Sequence, residues 1–277
     1  MTKIGILHPG AMGISVAASA KNSGAEVYWV SAERSDETRQ RAEEHGLQEV
    51  GTVDELTQQC EVIVSVCPPH AAEEVARQVM QASFSGLYVD GNAISPERSR
   101  RIGRIVSEAG GRFVDGGIVG GPAWKAGTTW LYLSGDGADT AAACFAAGPL
   151  ETEILSGGIG QASALKMCFA AYTKGTTALL AAVLATAEAE GVREPLNGQW
   201  ERYWDGFAAE TEMRVRRVTA KAWRFAGEME EIAATLEAAD VPGGFHTAAA
   251  ELYQRLAHFK GAAETPSIEA VLAALRE

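Results

Sequence analysis

The sequence predicts a doubly wound α/β sheet domain over residues 1–157, followed by an all-α domain over residues 158–277. Three observations predict this fold class. Short apolar runs alternate with helical segments in the first half of the chain, as in a parallel sheet with helices on both faces. A glycine-rich turn joins the first apolar run to the first helical segment. Beyond about residue 160 only helical periodicity remains.

The composition excludes several classes of protein. With 277 residues, 47% hydrophobic and 22% charged, the chain is long enough for one large or two modest globular domains. The formal net charge of -12 argues against nucleic acid as a partner, because the sequence has no basic stripe to neutralise phosphates. The four cysteines are scattered, without a C-x-x-C pair, so we expect reduced thiols and no metal site. The chain enters a strand directly, without a signal peptide, and we expect a cytoplasmic protein.

The first predicted element is a buried strand, Ile4–Leu7, and a helix begins near Ala11. Between them lies a variant of the G-x-G-x-x-G dinucleotide fingerprint, in which His8 replaces the first glycine. Gly10 would let a phosphate approach the backbone, and Gly13 would let the helix pack closely on the strand, as in a Rossmann-type fold. The free N–H groups of the helix start suit a pyrophosphate. The residues expected to contact the dinucleotide here are Gly10, Ala11, Met12 and Gly13.

The second strand, Glu26–Val30, ends where such folds meet the ribose of adenosine. A carboxylate at this point favours NAD, whereas arginine and hydroxyl groups favour NADP. The residues present are Ser31, Arg34 and Ser35, so we expect NADP as the cofactor, with NAD as the weaker alternative. Glu33 argues in the opposite direction, and Arg34 is alternatively a solvated loop charge.

Four further apolar runs predict strands, which are Glu61–Val66, Leu87–Asn92, Arg112–Asp115 and Thr128–Ser134. Ligands bind at the carboxyl ends of parallel strands, so the residues at these ends are expected to line one crevice with the glycine turn. Ser95 and Pro96 are predicted as the N-cap and first residue of the next helix. Cys67, Pro68, Asn92 and Ala93 are predicted to contact the cofactor.

The second half of the chain is predicted to contain helices only, separated by glycine and proline. The predicted helices are Gln161–Gly191, Pro195–Asp205, Ala208–Phe225, Glu228–Ala239, Phe245–Phe259 and Ser267–Arg276. The first of them is apolar enough to raise the question of a membrane span. Its lysines, threonines and alanines favour a core helix, so no membrane association is expected.

Lys166 is the residue best suited to carry chemistry. It is one of two charged residues, with Lys174, in the first 27 positions of a helix that is expected to be mostly buried. At helical spacing it lies with Ser163 and Thr173 in a narrow polar stripe. Burial lowers the pKa of a lysine, which would suit proton exchange with a substrate hydroxyl beside a nicotinamide. The alternative is an ordinary solvated lysine.

Four segments together resemble the β-hydroxyacid dehydrogenase superfamily, which includes 6-phosphogluconate and 3-hydroxyisobutyrate dehydrogenases. These are the cofactor turn Pro9–Gly13, the nicotinamide segment Asp90–Pro96, the substrate-loop counterpart Asp115–Gly121 and the lysine-bearing Gly160–Lys166. The resemblance covers nearly the whole chain. In its detailed sequence, the chain looks like a little-characterised phosphogluconate-dehydrogenase-like branch of the superfamily. It implies an NAD(P)-dependent oxidoreductase with Lys166 as the catalytic general acid and base.

The chain departs from the superfamily at its substrate anchors. Val119 stands in place of a substrate-binding serine, and Phe169 and Ala170 replace two polar residues that follow the lysine. A later second lysine is also missing, at Gly227–Met229. These departures imply a larger or less polar carbonyl, alcohol or imine than the usual small hydroxy acid. The residues expected to contact the substrate are Gly120, Gly121, Phe169, Ala170 and Thr173.

Two alternatives to a dehydrogenase stay open. Imine reductases resemble this architecture, and Lys166 or Tyr172 would then protonate nitrogen. A nucleotide-binding sensor would keep the cofactor site without chemistry. Superfamily members are typically dimers, which implies a homodimer through the C-terminal helices. Residues around Phe245 and His246 would then contribute to the active site of the other subunit.

Overall fold

The computed structural model describes all 277 residues, which form two compact units, Met1–Met167 and Cys168–Glu277. The first unit contains every strand, and the second contains helices only. The division between the units falls inside one long helix, whereas the domain boundary predicted between residues 157 and 158 precedes that helix.

The first unit is built on a single eight-stranded sheet. Its strands are β1 (Lys3–Ile6), β2 (Glu26–Val30), β3 (Gln48–Val50), β4 (Val62–Ser65), β5 (Leu87–Asp90), β6 (Arg112–Gly120), β7 (Thr129–Ser134) and β8 (Glu151–Ile154). Its helices are α1 (Ala11–Asn22), α2 (Asp36–Glu44), α3 (Val53–Gln59), α4 (Ala72–Gln81), α5 (Pro96–Glu108) and α6 (Ala138–Ala143). The strand order is β3-β2-β1-β4-β5-β6-β7-β8, which confirms the predicted Rossmann-type sheet.

Strands β1 to β6 run parallel, β7 is antiparallel to β6, and β8 is parallel to β7. The inner strands β4 and β5 are buried at every residue, because helices cover both faces of a parallel sheet. Alternate residues face opposite sides, so Val62 and Val64 join one apolar cluster and Ile63 joins the other. Helix α5 begins after Ser95 with Pro96 in its first turn, as predicted.

Strand β6 extends beyond its predicted end at Asp115, through the glycine-rich segment to Gly120. The extension forms because β7 pairs with it in the antiparallel direction, from Asp115 opposite Ser134 to Gly120 opposite Thr129. This pairing depends on a distant strand, so the local pattern does not reveal it. Four short elements, β3, α3, α6 and β8, also lack a clear pattern. Strand β3, for example, has three residues, two of which are exposed.

Helix α7 (Gln161–Ala189) begins in the first unit and continues into the second, which adds α8 (Arg193–Glu201), α9 (Phe207–Glu237), α10 (Gly244–Arg255) and α11 (Ile268–Ala274). The predicted all-α second half is confirmed. The predicted break between Phe225 and Glu228 is wrong, because α9 runs through Gly227 without interruption. A glycine costs a helix only about 1 kcal/mol, and the buried residues Met229 and Ile232 lie in the next two turns of the helix.

The expectation that α7 is mostly buried is wrong for one of its faces. Phe169, Tyr172 and Leu179 are 47%, 74% and 47% exposed, and their spacing of three and seven residues places them on one side of the helix. The helix carries apolar residues on more sides than this chain covers. By length and composition, α7 is also the one helix that is long and apolar enough to cross a bilayer.

Polar contacts within the second unit tie α7 to its neighbours. Lys174 forms an ion pair with Glu228 of α9. Arg214 Nε, also on α9, donates to Thr177 Oγ1 at 2.6 Å, and the Tyr253 hydroxyl of α10 donates to the Lys174 carbonyl at 2.8 Å. These contacts give the polar side of α7 partners inside the unit.

Candidate functional site

The glycine turn after β1 forms a helix start suited to an anion. The first intrahelical bond of α1 runs from Ile14 N to the Gly10 carbonyl, so the N–H groups of Ala11, Met12 and Gly13 precede it. No acidic side chain lies in this first turn. A Cβ on Gly13 would lie 2.1 Å from the His8 carbonyl oxygen, so only glycine fits there. A Cβ on Gly10 would meet nothing within 4 Å, which leaves this side of the turn open to a ligand.

Three predicted cofactor contacts follow β2. Ser31 is buried and its hydroxyl donates to the Val50 carbonyl at 3.4 Å, while Ser35 Oγ accepts from Thr38 N at 3.3 Å as the N-cap of α2. Both hydroxyls therefore have partners within the protein. Arg34 is partly buried, and its Nε atom is enclosed without a hydrogen-bond partner. Its guanidinium faces the protein rather than bulk water at this atom, so a fully solvated loop charge does not describe it.

The carboxyl ends of β4 and β5 are joined by hydrogen bonds through Asn92. The Asn92 side chain accepts from Cys67 N at 2.5 Å and donates to Ser65 Oγ at 3.2 Å. Pro68 is exposed beside this network, and Ala93 is partly buried. Four predicted cofactor contacts therefore lie at the carboxyl ends of two neighbouring strands.

Asp90, the last residue of β5, is a buried carboxyl group with an incomplete set of partners. Its Oδ1 atom accepts from Asn92 N at 2.9 Å, and its Oδ2 atom has no hydrogen-bond partner. Burial, followed by the nearby charge of Asp115, raises the pKa of Asp90 to about 7. Burial also raises the pKa of the Cys67 thiol to about 12, so this cysteine is not a thiolate nucleophile at neutral pH.

Asp115 of β6 is the strongest polar anchor of the first unit. Its two carboxylate oxygens accept five hydrogen bonds. The donors are the hydroxyls of Ser99, Ser134 and Ser163 and the backbone N–H groups of Gly160 and Ser163. Sequence reasoning missed this role, although an aspartate that ends an apolar strand is a signal for a buried acceptor. The network fixes the first turn of α7 against the sheet.

Lys166 lies one helical turn after Ser163 on α7 and packs against β6. A Cβ on Gly117 would lie 3.0 Å from Lys166 Cβ and 2.5 Å from the Ala162 carbonyl oxygen, so the glycine allows α7 to approach the strand closely. Gly117 is two residues past Asp115, whose partner Asp90 is the last residue of β5. Lys166 is therefore at the carboxyl edge of the parallel strands, and it is partly buried.

The predicted substrate contacts Gly120 and Gly121 lie farther along, at the exposed end of β6. Gly120 has a φ of +122°, and a Cβ there would lie 2.4 Å from the Thr128 carbonyl oxygen, so a side chain is excluded. Two residues after Gly121, Ala123 N donates to Ser15 Oγ of α1 at 2.9 Å. The loop after β6 thus reaches the helix that follows the glycine turn.

The other three predicted substrate contacts lie on the part of α7 that belongs to the second unit. Phe169 is exposed, Ala170 is buried and Thr173 is partly buried. The Thr173 hydroxyl donates to the Phe169 carbonyl at 3.0 Å, and the Thr173 carbonyl accepts from Arg214 Nη2 at 2.6 Å. Sequence reasoning did not single out Arg214, which stands in an unremarkable run of charged residues on α9.

Two domain families match the chain. The NAD binding domain of 6-phosphogluconate dehydrogenase matches residues 3–144, and a domain of unknown function matches residues 187–256. An uncharacterised 28.5 kDa protein of Methanothermus fervidus is 28% identical over 163 residues, which are 59% of this chain and 62% of that protein. The match thus spans less than two thirds of that relative's length.

Solved structures extend the likeness to the whole chain. A conserved protein of unknown function, whose structure reveals similarity with 3-hydroxyacid dehydrogenases, is 28% identical with a TM-score of 0.67, covering 92% of this chain and 96% of that one. Two others share the fold over 100% of both chains. They are the 3-hydroxyisobutyrate dehydrogenase of Mycobacterium tuberculosis, 19% identical with a TM-score of 0.71, and an imine reductase of Streptomyces aurantiacus, 18% identical with a TM-score of 0.58. The predicted resemblance is confirmed, and the chain belongs to the family that carries the NAD binding domain of 6-phosphogluconate dehydrogenase.

Proposed function

We propose that the protein is an NADP(H)-dependent oxidoreductase that interconverts a hydroxyl and a carbonyl group, with Lys166 as the general acid and base. The observation that carries this proposal is the position of Lys166 beside Gly117, at the carboxyl ends of the parallel strands. The glycine turn and Asn92, which are expected to bind the cofactor, lie at the carboxyl ends of other strands of the same sheet.

The residues at this edge fit an extended dinucleotide. Arg34 follows β2, the glycine turn follows β1, Cys67 follows β4, Asn92 follows β5, and Lys166 lies beside β6. These strands are consecutive neighbours, about 4.8 Å apart. The open side of Gly10 and the free N–H groups after it would hold the pyrophosphate. The segments Cys67–Pro68 and Asn92–Ala93 would border the nicotinamide, which supplies or accepts the hydride when bound.

Lys166 would handle the proton that accompanies hydride transfer. In reduction, its ammonium group would donate a proton to the carbonyl oxygen, and in oxidation its neutral amine would accept the hydroxyl proton. The hydrogen bonds of Asp115 to the first turn of α7 would hold this side chain in register with β6. Positioning of this kind is as important as the proton transfer, because small misplacements of reacting groups are costly.

The cofactor preference rests on the β2 end of the site. Arg34 lies in the loop after β2, where the adenosine ribose would lie, and a guanidinium group suits a phosphate. Because Ser31 and Ser35 already have partners, Arg34 would carry most of the preference for NADP over NAD.

The substrate would be less polar than a small hydroxy acid. Val119 is a buried apolar residue where the superfamily resemblance implies a serine. Gly120 and Gly121 would offer backbone groups and little bulk to a substrate in the first unit. Phe169, Ala170 and Thr173 are proposed as further contacts, and none of them carries a charge.

A homodimer would cover the exposed apolar face of α7. Phe169, Tyr172 and Leu179 form a stripe that water contacts in the single chain. We therefore propose that a second copy of this chain packs on the C-terminal helices. Light scattering at micromolar concentration is expected to give twice the mass of the chain, and a monomer would contradict the dimer.

All four cysteines are free, which suits our proposal that the protein works in the reducing cytoplasm.

A panel of ketones and cyclic imines, each mixed with NADPH, tests the proposed reaction. We expect oxidation of NADPH with at least one ketone or aldehyde of low polarity. Turnover of cyclic imines alone would favour an imine reductase, a possibility supported by the shared fold of the Streptomyces aurantiacus enzyme. Tight NADPH binding without turnover of any compound would instead favour a nucleotide sensor.

A further inference from the structure

Two buried carboxyl groups lie side by side on β5 and β6. Asp90 and Asp115 are paired in register across these strands, and each is 1% exposed. Residues paired in this way point to the same face of the sheet, on strands about 4.8 Å apart. Two negative charges so close together in a buried site repel strongly, so one of the two carboxyl groups is expected to hold a proton.

The hydrogen bonds of the pair assign that proton to Asp90. The carboxylate of Asp115 accepts five hydrogen bonds over its two oxygens, which stabilises its ionised form. Asp90 accepts one hydrogen bond, from Asn92 N, and its Oδ2 atom has no partner. An ionised Asp90 would therefore be a poorly compensated buried charge beside a second one. The pKa of about 7 for Asp90, raised by burial and by Asp115, agrees with this assignment.

Three other ionisable groups surround the pair. The Cys67 thiol follows β4, the Tyr88 hydroxyl lies on β5, and Lys166 is the cation on α7, which packs against β6. Burial raises the pKa of Cys67 to about 12 and the pKa of Tyr88 well above its usual range, so both stay protonated near pH 7. Among these acids, Asp90 is therefore the one that exchanges a proton near neutral pH.

Asp90 is bonded to the segments that are proposed to border the nicotinamide. Its Oδ1 atom lies 2.9 Å from Asn92 N, and the Asn92 side chain accepts from Cys67 N at 2.5 Å. A nicotinamide carries a positive charge when oxidised and none when reduced. A single charge about 10 Å away, at an effective dielectric constant near 20, shifts a pKa by about one unit. A buried carboxyl group at this position is thus exposed to the change of charge that accompanies hydride transfer.

We propose that Asp90 is a proton-binding site coupled to the redox state of the cofactor. Asp90 releases its proton to solvent when the positively charged oxidised nicotinamide binds, and keeps it when the neutral reduced nicotinamide binds. The ionised carboxylate stabilises the oxidised cofactor, so the preference for NADP⁺ over NADPH rises with pH. This proton is additional to the one that Lys166 is proposed to exchange with the substrate. The inference rests on the proposed function, because it requires a nicotinamide beside Asn92.

Calorimetry of cofactor binding to the full chain at pH 6.5, in two buffers with different enthalpies of ionisation, counts the released protons. We expect NADP⁺ to release about half a proton more per chain than NADPH, because the pKa of Asp90 falls by about one unit from about 7. The phosphate groups are common to both nucleotides, so their protons cancel in the difference. Asp90→Asn keeps an acceptor for Asn92 N and is expected to remove this half proton. Asp136→Asn, at an exposed aspartate of the same unit, is the matched control.

The ratio of the two dissociation constants is an independent measurement. From pH 5.5 to pH 8.5 the affinity for NADP⁺ relative to NADPH is expected to rise roughly five- to tenfold in the unaltered protein, and to change less than about twofold in Asp90→Asn. A constant ratio in the unaltered protein, or equal proton release in Asp90→Asn and the control, would overturn the inference and leave the proposed function standing. Failure of both nucleotides to bind would overturn the proposed function, and the inference with it.

Discussion

The Asp115 carboxylate accepts two hydrogen bonds from Ser163, one from its hydroxyl at 2.5 Å and one from its backbone N–H at 3.1 Å. Through this pair the last parallel strand holds the start of α7, three residues before Lys166. In the proposed reaction, Lys166 would therefore be positioned by a buried carboxylate that takes no direct part in the chemistry.

Replacing Asp115 by alanine is expected to destabilise the protein by roughly 3–5 kcal/mol, because five buried donors lose their acceptor. Ser163→Ala removes one of these donors and is expected to cost about 1–2 kcal/mol. Urea denaturation followed by circular dichroism measures both values. Ser107→Ala is the control, since this hydroxyl bonds only to the carbonyl one turn before it. Equal stabilities of Asp115→Ala and the control would contradict the anchoring role.

Asp90 is expected to make stability depend on pH. Its pKa is about 7 in the folded protein and near 3.8 in the unfolded chain, so the folded state binds the proton more tightly. The contribution of Asp90 to the free energy of unfolding is fully present at low pH and is lost as the pH rises from about 4 to about 7. It changes no further at higher pH. Asp90→Asn keeps the acceptor for Asn92 N and removes the titration.

The stability of Asp90→Asn relative to the unaltered protein should therefore increase across this interval, by an amount on the order of 2–4 kcal/mol. Denaturation curves at pH 5 and pH 8 measure the difference. Parallel pH dependences of the two proteins would show that Asp90 does not titrate in this range.

The two glycines of the cofactor turn should respond differently to alanine. Gly13→Ala places a methyl group 2.1 Å from the His8 carbonyl and is expected to destabilise the fold by several kcal/mol. Gly10→Ala meets no atom within 4 Å and is expected to fold normally. In Gly10→Ala the methyl group would occupy space left for the pyrophosphate, so NADPH binding should weaken at least roughly tenfold. Fluorescence titration with NADPH and thermal melting separate the two effects.

Normal NADPH affinity in Gly10→Ala would mean that the pyrophosphate does not approach this turn. Normal stability of Gly13→Ala would mean that the backbone at His8 moves readily. The cofactor turn would then not be rigid.

The sequence was most informative where local pattern and structure coincide. Buried apolar runs predicted β1, β4 and β5, the glycine turn predicted the start of α1, and Ser95–Pro96 predicted the start of α5. The extension of β6 could not be predicted, because it depends on antiparallel pairing with β7. The continuity of α9 through Gly227 depends on burial around it, which composition does not reveal.

The candidate site shows the same division between local and distant information. Lys166 stands out in the sequence because charges are rare around it. The five donors to Asp115 lie between 16 and 48 residues from it in the chain, so no local sequence motif predicts the network. The incomplete burial of α7 also escaped prediction, since an apolar helix surface does not say whether this chain or another copy covers it.

Single-turnover hydride transfer from NADPH in Lys166→Met, with a carbonyl substrate from the panel, tests whether Lys166 takes part in the proton transfer. Lys221→Met, at an exposed lysine of α9, is the matched control. We predict that Lys166→Met lowers the rate by about 10²- to 10⁴-fold, while its NADPH dissociation constant stays within about twofold of the control. A hydride-transfer rate equal to that of the control would contradict the account, because Lys166 would then have no part in the chemistry.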